Sequence, residues 1–219
     1  MNIDSFKYRV YGRTRSRGKK SITKENFLLK TEKYIIKKLD KKTKYILDIG
    51  SGYGESTIFL STNNKKNIII SCETYINGNL NLVNKIENHG ITNIRIYPGN
   101  VNQFLDNLNQ DIKLKKIYIL FPDPWPKKKH IKRRLITNDF LKKLNIFLQP
   151  NGEIVIATDS LSYSKQIFKC IFNVKDLFNW NNQRNMYLDL NDYYDLETKY
   201  YNKAIISGKK PSIFILTKI

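Results

Sequence analysis

Cysteine is scarce in this chain of 219 residues. Cys72 and Cys170 lie far apart with no CxxC or Cys/His spacing, so neither a disulfide scaffold nor a zinc site is indicated. A reducing compartment fits, and no metal is expected. Histidine is equally sparse: His89 and His130 stand alone, with no Ser or Cys nucleophile signature beside them, which argues against a hydrolytic triad. No apolar run approaches the roughly 20 residues that a membrane span needs. Met1 to Val10 carries Asp4, Lys7 and Arg9 and lacks the apolar core of a secretory leader. A soluble, cytoplasmic protein with no membrane partner is the expectation. Acidic residues are the remaining shortage. Against 39 Lys and Arg stand only 19 Asp and Glu, leaving a formal charge of +20, the footprint of a polyanion binder, with nucleic acid the leading partner.

Apolar residues make up 41% and charged residues 26% of the chain, enough to fold one globular domain over residues 1–219. Residues 7–20, KYRVYGRTRSRGKK, place basic side chains between glycines and serine with few apolar neighbours. Such a stretch cannot bury much apolar area alone, so 1–24 reads as a basic arm, partly disordered until phosphates organise it. Phe27, Leu28, Tyr34, Ile35 and Leu39 fall at helical spacing behind a possible N-cap, Ser21 or Thr23, and predict a helix over 26–39.

Further along, short apolar runs alternate with amphipathic stretches. The runs are YILDI (45–49), IIISC (68–72), 94–97, IYILF (117–121) and IVIA (154–157). Continuous β-branched runs indicate strands buried on both faces, as in parallel sheets. Helix candidates lie at 55–62, 77–89, 101–109, 134–148 and 161–172, and the pattern predicts a doubly wound α/β sheet. The run IFILT (213–217) would add a last strand.

The first run leads into Asp48-Ile49-Gly50-Ser51-Gly52-Tyr53-Gly54-Glu55 and then a helix. Gly50, Gly52 and Gly54 allow a tight turn and close approach of backbone to a ligand. A dinucleotide fingerprint would place glycine where Glu55 stands, and no GK[ST] follows, so neither NAD nor a P-loop phosphate suits. S-adenosylmethionine does: it has no phosphate, and its sulfonium and ammonium suit Asp48. Glu73, at the end of the second strand, can accept from both ribose hydroxyls. Asn100, after the third, can meet an adenine edge.

The fourth strand ends in Phe121-Pro122-Asp123-Pro124-Trp125-Pro126, followed by KKKHIKRR (127–134). Three prolines fix an extended segment and so aim Asp123 and Trp125. A doubly wound topology sets the ends of strands one and four beside the ligand, so Asp123 is expected to face the cofactor. A base stacked on Trp125 and phosphates held by the basic run, including Arg133 and Arg134, complete that reading.

LFPDPWPKKKHIKRR, with LDIGSGYGES upstream and IATD downstream, resembles the bacterial tRNA (guanine-N7)-methyltransferases, which methylate the variable-loop guanine at position 46 of tRNA. The resemblance runs from about residue 8 to the C-terminus. It implies a class I methyltransferase fold, mostly parallel with strand order 3-2-1-4-5-7-6 behind the N-terminal arm and helix. It further implies S-adenosylmethionine as cofactor, with S-adenosylhomocysteine as product, and tRNA as partner. No obligate protein partner is implied, and the state is monomer or homodimer. By this resemblance Asp48, Glu73, Asn100 and Asp123 contact the cofactor, with Asp123 catalytic. Lys127, Asp159 and the segment Thr198 to Tyr201 hold guanosine or tRNA. Two positions depart from the pattern: Asn100 replaces an aspartate, and Tyr201 stands where the T-x-[FY]-E element carries glutamate.

Guanine N7 bears an in-plane lone pair, so methyl transfer to it requires no general base, and Asp123 is best cast as positioner and charge stabiliser. Two rivals remain. An exocyclic-amine methyltransferase would use [DNS]-P-P-[YFW], but Trp125 precedes Pro126 here. A catalytically silent RNA-binding protein that kept the fold would explain the charge and Tyr201.

Overall fold

The β-branched runs become strands as predicted, and the sheet they build has seven strands in the order β3-β2-β1-β4-β5-β7-β6. The computed structural model describes residues 8–12, 14, 22–182 and 198–219. The chain divides into two units, Met1–Ile112 and Lys113–Ile219.

In the first unit, β1 (Tyr45–Ile49), β2 (Ile68–Cys72) and β3 (Ile94–Tyr97) alternate with α2 (Glu55–Asn63), α3 (Ile76–Asn88) and α4 (Val101–Asp106). The strands pair in parallel, Tyr45 with Ile68 through Ile49 with Cys72, and Ile69 with Ile94 through Cys72 with Tyr97. Leu47, Ile69, Ile70 and Ile96 have essentially no exposed surface, as strands covered on both faces require, and Phe104 of α4 is buried with them.

The helix expected over 26–39 is half right. α1 runs Lys24–Thr31, with the hydroxyl of Thr23 accepting from Asn26 N–H at 3.2 Å as its N-cap. Beyond it the chain turns and extends: Ile96 N–H donates to Tyr34 O, Ile36 N–H donates to Ile96 O, and Ile35 forms a parallel bridge to Ile96. Tyr34 and Ile36 are buried there. Apolar spacing cannot distinguish a helix from a β-branched segment that covers the open edge of β3, and the tertiary pairing wins.

The described part of the basic arm also meets this unit. Tyr8 donates its hydroxyl to Asp106 at 2.7 Å, and the carbonyl of Thr14 accepts the N–H of Ile76 at the start of α3. The rest of the arm lies outside the described residues.

The second unit holds β4 (Leu114–Leu120), a 3-10 turn (Lys128–Arg133), α5 (Asn138–Phe147), β5 (Leu148–Thr158), α6 (Leu161–Asn173), β6 (Phe178–Trp180), α7 (Lys199–Ile206) and β7 (Ser212–Lys218). β4 and β5 run parallel, while β7 is antiparallel to both β5 and β6. The helix expected from 134 begins at Asn138. Arg134 is extended, and Thr137 caps α5 by accepting from Phe140 N–H at 3.1 Å. Among the described residues, no helix is long and apolar enough to cross a membrane.

Candidate active site

At the carboxyl end of β1 the chain turns through three left-handed glycines, Gly50, Gly52 and Gly54, with φ of 74°, 58° and 83°. An L side chain is strained in that region, which explains the glycines. A Cβ added at Gly50 or Gly52 would meet no atom within 4 Å, so open space borders the backbone there. At the back of the turn the fit is tight. A Cβ on Gly54 would come within 2.6 Å of Leu82, and one on Gly78, in the first turn of α3, within 2.1 Å of the Gly52 carbonyl.

Glu73 clips this turn to the end of β2. Its Oε2 accepts from Gly52 N–H at 2.8 Å and its Oε1 from Tyr75 N–H at 2.8 Å. Burial raises the carboxyl pKa, and these backbone donors oppose the rise. Oε1 also accepts from the Thr74 hydroxyl at 3.3 Å, so the acceptor capacity to spare lies at Oε2, beyond the one N–H it receives. The buried Asn79 amide donates to the carbonyls of Glu73 and Tyr75 and holds the residues around the acid. Tyr53 and Tyr75 bring their hydroxyls to 3.1 Å beside the turn. Isolated tyrosines carry no sequence pattern, so the fold alone reveals this pair.

Asp48 and Asn100 are occupied by the fold. Asp48 is about 1% exposed, and its Oδ2 accepts from Ser56 and Thr57, each at 2.7 Å. Burial pushes its pKa up to about 6, against the lowering effect of the two hydroxyls. Asp48 therefore anchors the first turn of α2 under the glycine turn, and its contacts are with protein. Asn100 is the N-cap of α4, its Oδ1 accepting from Asn102 N–H at 2.8 Å. An uncharged amide does this as well as the expected aspartate.

In the second unit the segment after β4 is strained at both ends. Phe121 and Trp125 have φ of 53° and 41°, unusual for residues with side chains. Between them Asp123 is exposed by area, yet the surrounding chain partly desolvates its carboxylate and raises its pKa. Trp125, the ring expected to stack on a base, has neighbours within the chain. The Arg133 guanidinium sits 5.0 Å from its ring centroid, and His130 meets it edge to face at 5.8 Å. Desolvation, then the charges of Arg133 and Lys127, hold His130 below its ordinary pKa.

Arg134 is a correction. Expected among the RNA contacts, it is buried and donates through Nε to Pro124 O at 2.7 Å, through Nη1 to Ser162 O and Gln166 Oε1, and through Nη2 to Ser162 Oγ. Its guanidinium also lies over Tyr163. It staples the proline segment to α6. Lys127, by contrast, is exposed at the start of the 3-10 turn.

Asp159, at the end of β5, is paired with Lys209 at 2.8 Å. Thr198 caps α7 by accepting from Tyr201 N–H at 3.0 Å. Tyr201 is itself buried, so the position at which the resemblance implies glutamate does not face solvent here. Its neighbour Tyr200 is exposed and lies nearly parallel to Phe121, with centroids 6.4 Å apart and an interplanar angle of 28°. Tyr200 lies within the segment Thr198 to Tyr201 that the resemblance assigns to guanosine or tRNA, whereas Lys209 carries no pattern in the sequence.

Residues 42–213 match a family described as “Putative methyltransferase”. The tRNA (guanine-N(7)-)-methyltransferase of Neorickettsia sennetsu is 34% identical over 169 residues, covering 76% of each chain. A bifunctional methyltransferase of Rickettsia felis is 35% identical over 85% of this chain, which spans 35% of that longer protein. In fold, an rRNA methylase from Streptococcus thermophilus aligns with a TM-score of 0.55 and 13% identity, over 81% of this chain and 87% of that one.

Proposed function

The chain belongs to the tRNA (guanine-N(7)-)-methyltransferase family, and from that premise we propose that it methylates N7 of the variable-loop guanine of tRNA. The observation that carries the cofactor half is the glycine turn clipped by Gly52 N–H to Glu73, with open space beside Gly50 and Gly52. These residues fit S-adenosylmethionine: backbone can approach the ligand, and a carboxylate with acceptor capacity to spare suits a ribose diol. Gly50, Gly52, Gly54 and Glu73 would hold it, with Asn100 beside the adenine and Asp48 supporting the turn from beneath. When bound, it supplies a methyl group on a sulfonium.

The remaining work falls to the chain's own side chains. Asp123, held between prolines in a strained segment, presents a partly desolvated carboxylate. A fixed negative charge stabilises guanine more as N7 acquires positive charge than before, and the lone pair at N7 leaves no proton to remove. Orientation supplies the larger share, of the order of 7–11 kcal/mol for well-aligned reactants. Lys127, Arg133 and the 3-10 turn offer cations to phosphate, and Asp159, Thr198 and Tyr200 line the guanosine side. A tRNA substrate would place the work in the cytoplasm.

Calorimetry with S-adenosylmethionine, followed by nucleoside analysis of methylated tRNA, tests this reading. It requires cofactor binding and 7-methylguanosine; absence of either refutes it.

A further inference from the structure

The helix α6 presents two unlike faces. Tyr163, Ile167, Cys170 and Ile171 are buried against the unit, and Ser162 and Gln166 hold Arg134 and so anchor the basic turn. On the outer side Leu161, Lys165, Phe168, Lys169 and Phe172 recur at helical spacing. The three apolar members are 65%, 49% and 63% exposed. Lys175 reaches back over Phe172 at 5.6 Å, and Trp180 of β6 meets Phe168 at 5.6 Å. No carboxylate occurs anywhere on α6. Exposed rings alternating with lysines along a helix that carries no acid, with Asp176 beside Lys175 beyond its end, are an unfavourable solvated face but a suitable one for unstacked bases and their phosphates.

We propose that the outer face of α6, with Trp180, is a second RNA-binding surface, on which unpaired bases of the substrate stack on Phe168 and Phe172 while Lys165, Lys169 and Lys175 meet phosphates. This rests on the reading of tRNA as substrate and adds a surface outside the proline segment and the basic turn. A second copy of the chain is the other natural occupant of an apolar face. Twofold self-docking would set Lys165 and Lys169 of one copy near those of the other with no α6 carboxylate to neutralise them, whereas a polyanion complements them.

The test measures binding of full-length chain to unmodified tRNA across a salt series. Phe168→Leu/Phe172→Leu keeps apolar area and removes the rings, and is expected to weaken binding about tenfold or more; Phe168→Tyr/Phe172→Tyr keeps the rings and is expected to retain it. The triple variant of Lys165, Lys169 and Lys175 to Ala is expected to reduce the magnitude of the slope of log affinity against log salt by about 2. S-adenosylmethionine affinity should be unchanged in all three, and Leu29→Ala, an exposed apolar residue on α1, should bind tRNA as the parent does. Parent-like tRNA affinity and salt slope in the ring and lysine variants would overturn the proposal. So would loss of a dimer in sedimentation when the rings are removed with tRNA affinity intact, which assigns the face to a second copy. Binding is the readout, so a chain that failed to form 7-methylguanosine would sink the proposed activity while leaving this surface decided on its own data.

Discussion

The N–H of Gly52 donates to Oε2 of Glu73 across 2.8 Å, so the glycine turn after β1 and the acid after β2 form one hydrogen-bonded unit although 21 residues separate them in sequence. The acid has two tasks in consequence: it fixes the turn, and it offers its remaining acceptor capacity outward. Glu73→Ala removes both and strands two backbone N–H groups. A bond to a charged acceptor contributes about 1.5–3 kcal/mol, so S-adenosylmethionine affinity in calorimetry should fall roughly 10- to 100-fold. Glu73→Gln, which keeps one acceptor oxygen, should fall between the parent and the alanine variant.

Gly78 stands behind the same turn, where a methyl group would lie 2.1 Å from the Gly52 carbonyl. Backbone must then move, at a cost of about 1–3 kcal/mol in denaturant unfolding. Gly208→Ala, strained by its φ of 72° but with open space around it, should destabilise without weakening the cofactor. Gly78→Ala should do both.

Asp48 gives a pH signature. Its folded pKa is raised to about 6 from 3.8. The folded state therefore keeps its proton where the unfolded state has lost it, and stability from this group falls as pH rises from about 4 to about 6. The accumulated cost above that window is of the order of 3 kcal/mol. Asp48→Asn, which preserves a partner for Ser56 and Thr57, should gain on the parent through that window and run parallel to it at higher pH. A constant difference between the two across pH 4–7 would contradict the buried, proton-retaining carboxyl.

Arg134 and Lys127 should separate by readout. Arg134→Ala leaves the Pro124 carbonyl, Ser162 and Gln166 without their shared donor, and should cost about 2–4 kcal/mol of stability. Lys127→Ala, at an exposed position, should stay within about 0.5 kcal/mol. Its effect should appear in tRNA binding, with the salt slope reduced by about 1.

The parts of the fold legible in the sequence are those where one signal acts alone. YILDI, IIISC and IYILF read as strands because they are buried on both faces, and the glycine turn reads from a φ that only glycine adopts easily. β6, Phe178–Trp180, is implied by the family's strand order and not by any apolar run, because three residues including Asn179 make none. The second half of the 26–39 helix misled because Ile35 and Ile36 serve an edge pairing that spacing does not encode. At the site, residue type pointed to the right neighbourhood and missed the direction of the side chain. Arg134 belongs to a basic run yet faces inward, and helix phase buries Tyr201 while exposing Tyr200. Charge and chemistry are written locally, whereas burial is decided by what packs above.

The central claim is methyl transfer to guanine N7 with Asp123 in attendance. Unmodified tRNA transcript, S-adenosylmethionine and either the parent or Asp123→Ala should be incubated together and the nucleosides resolved. The account predicts 7-methylguanosine in the variable loop with the parent, and a rate reduced about 100-fold or more in the variant with its fold and cofactor affinity retained. A methyl group on an exocyclic amine, or an undiminished rate in Asp123→Ala, would contradict it.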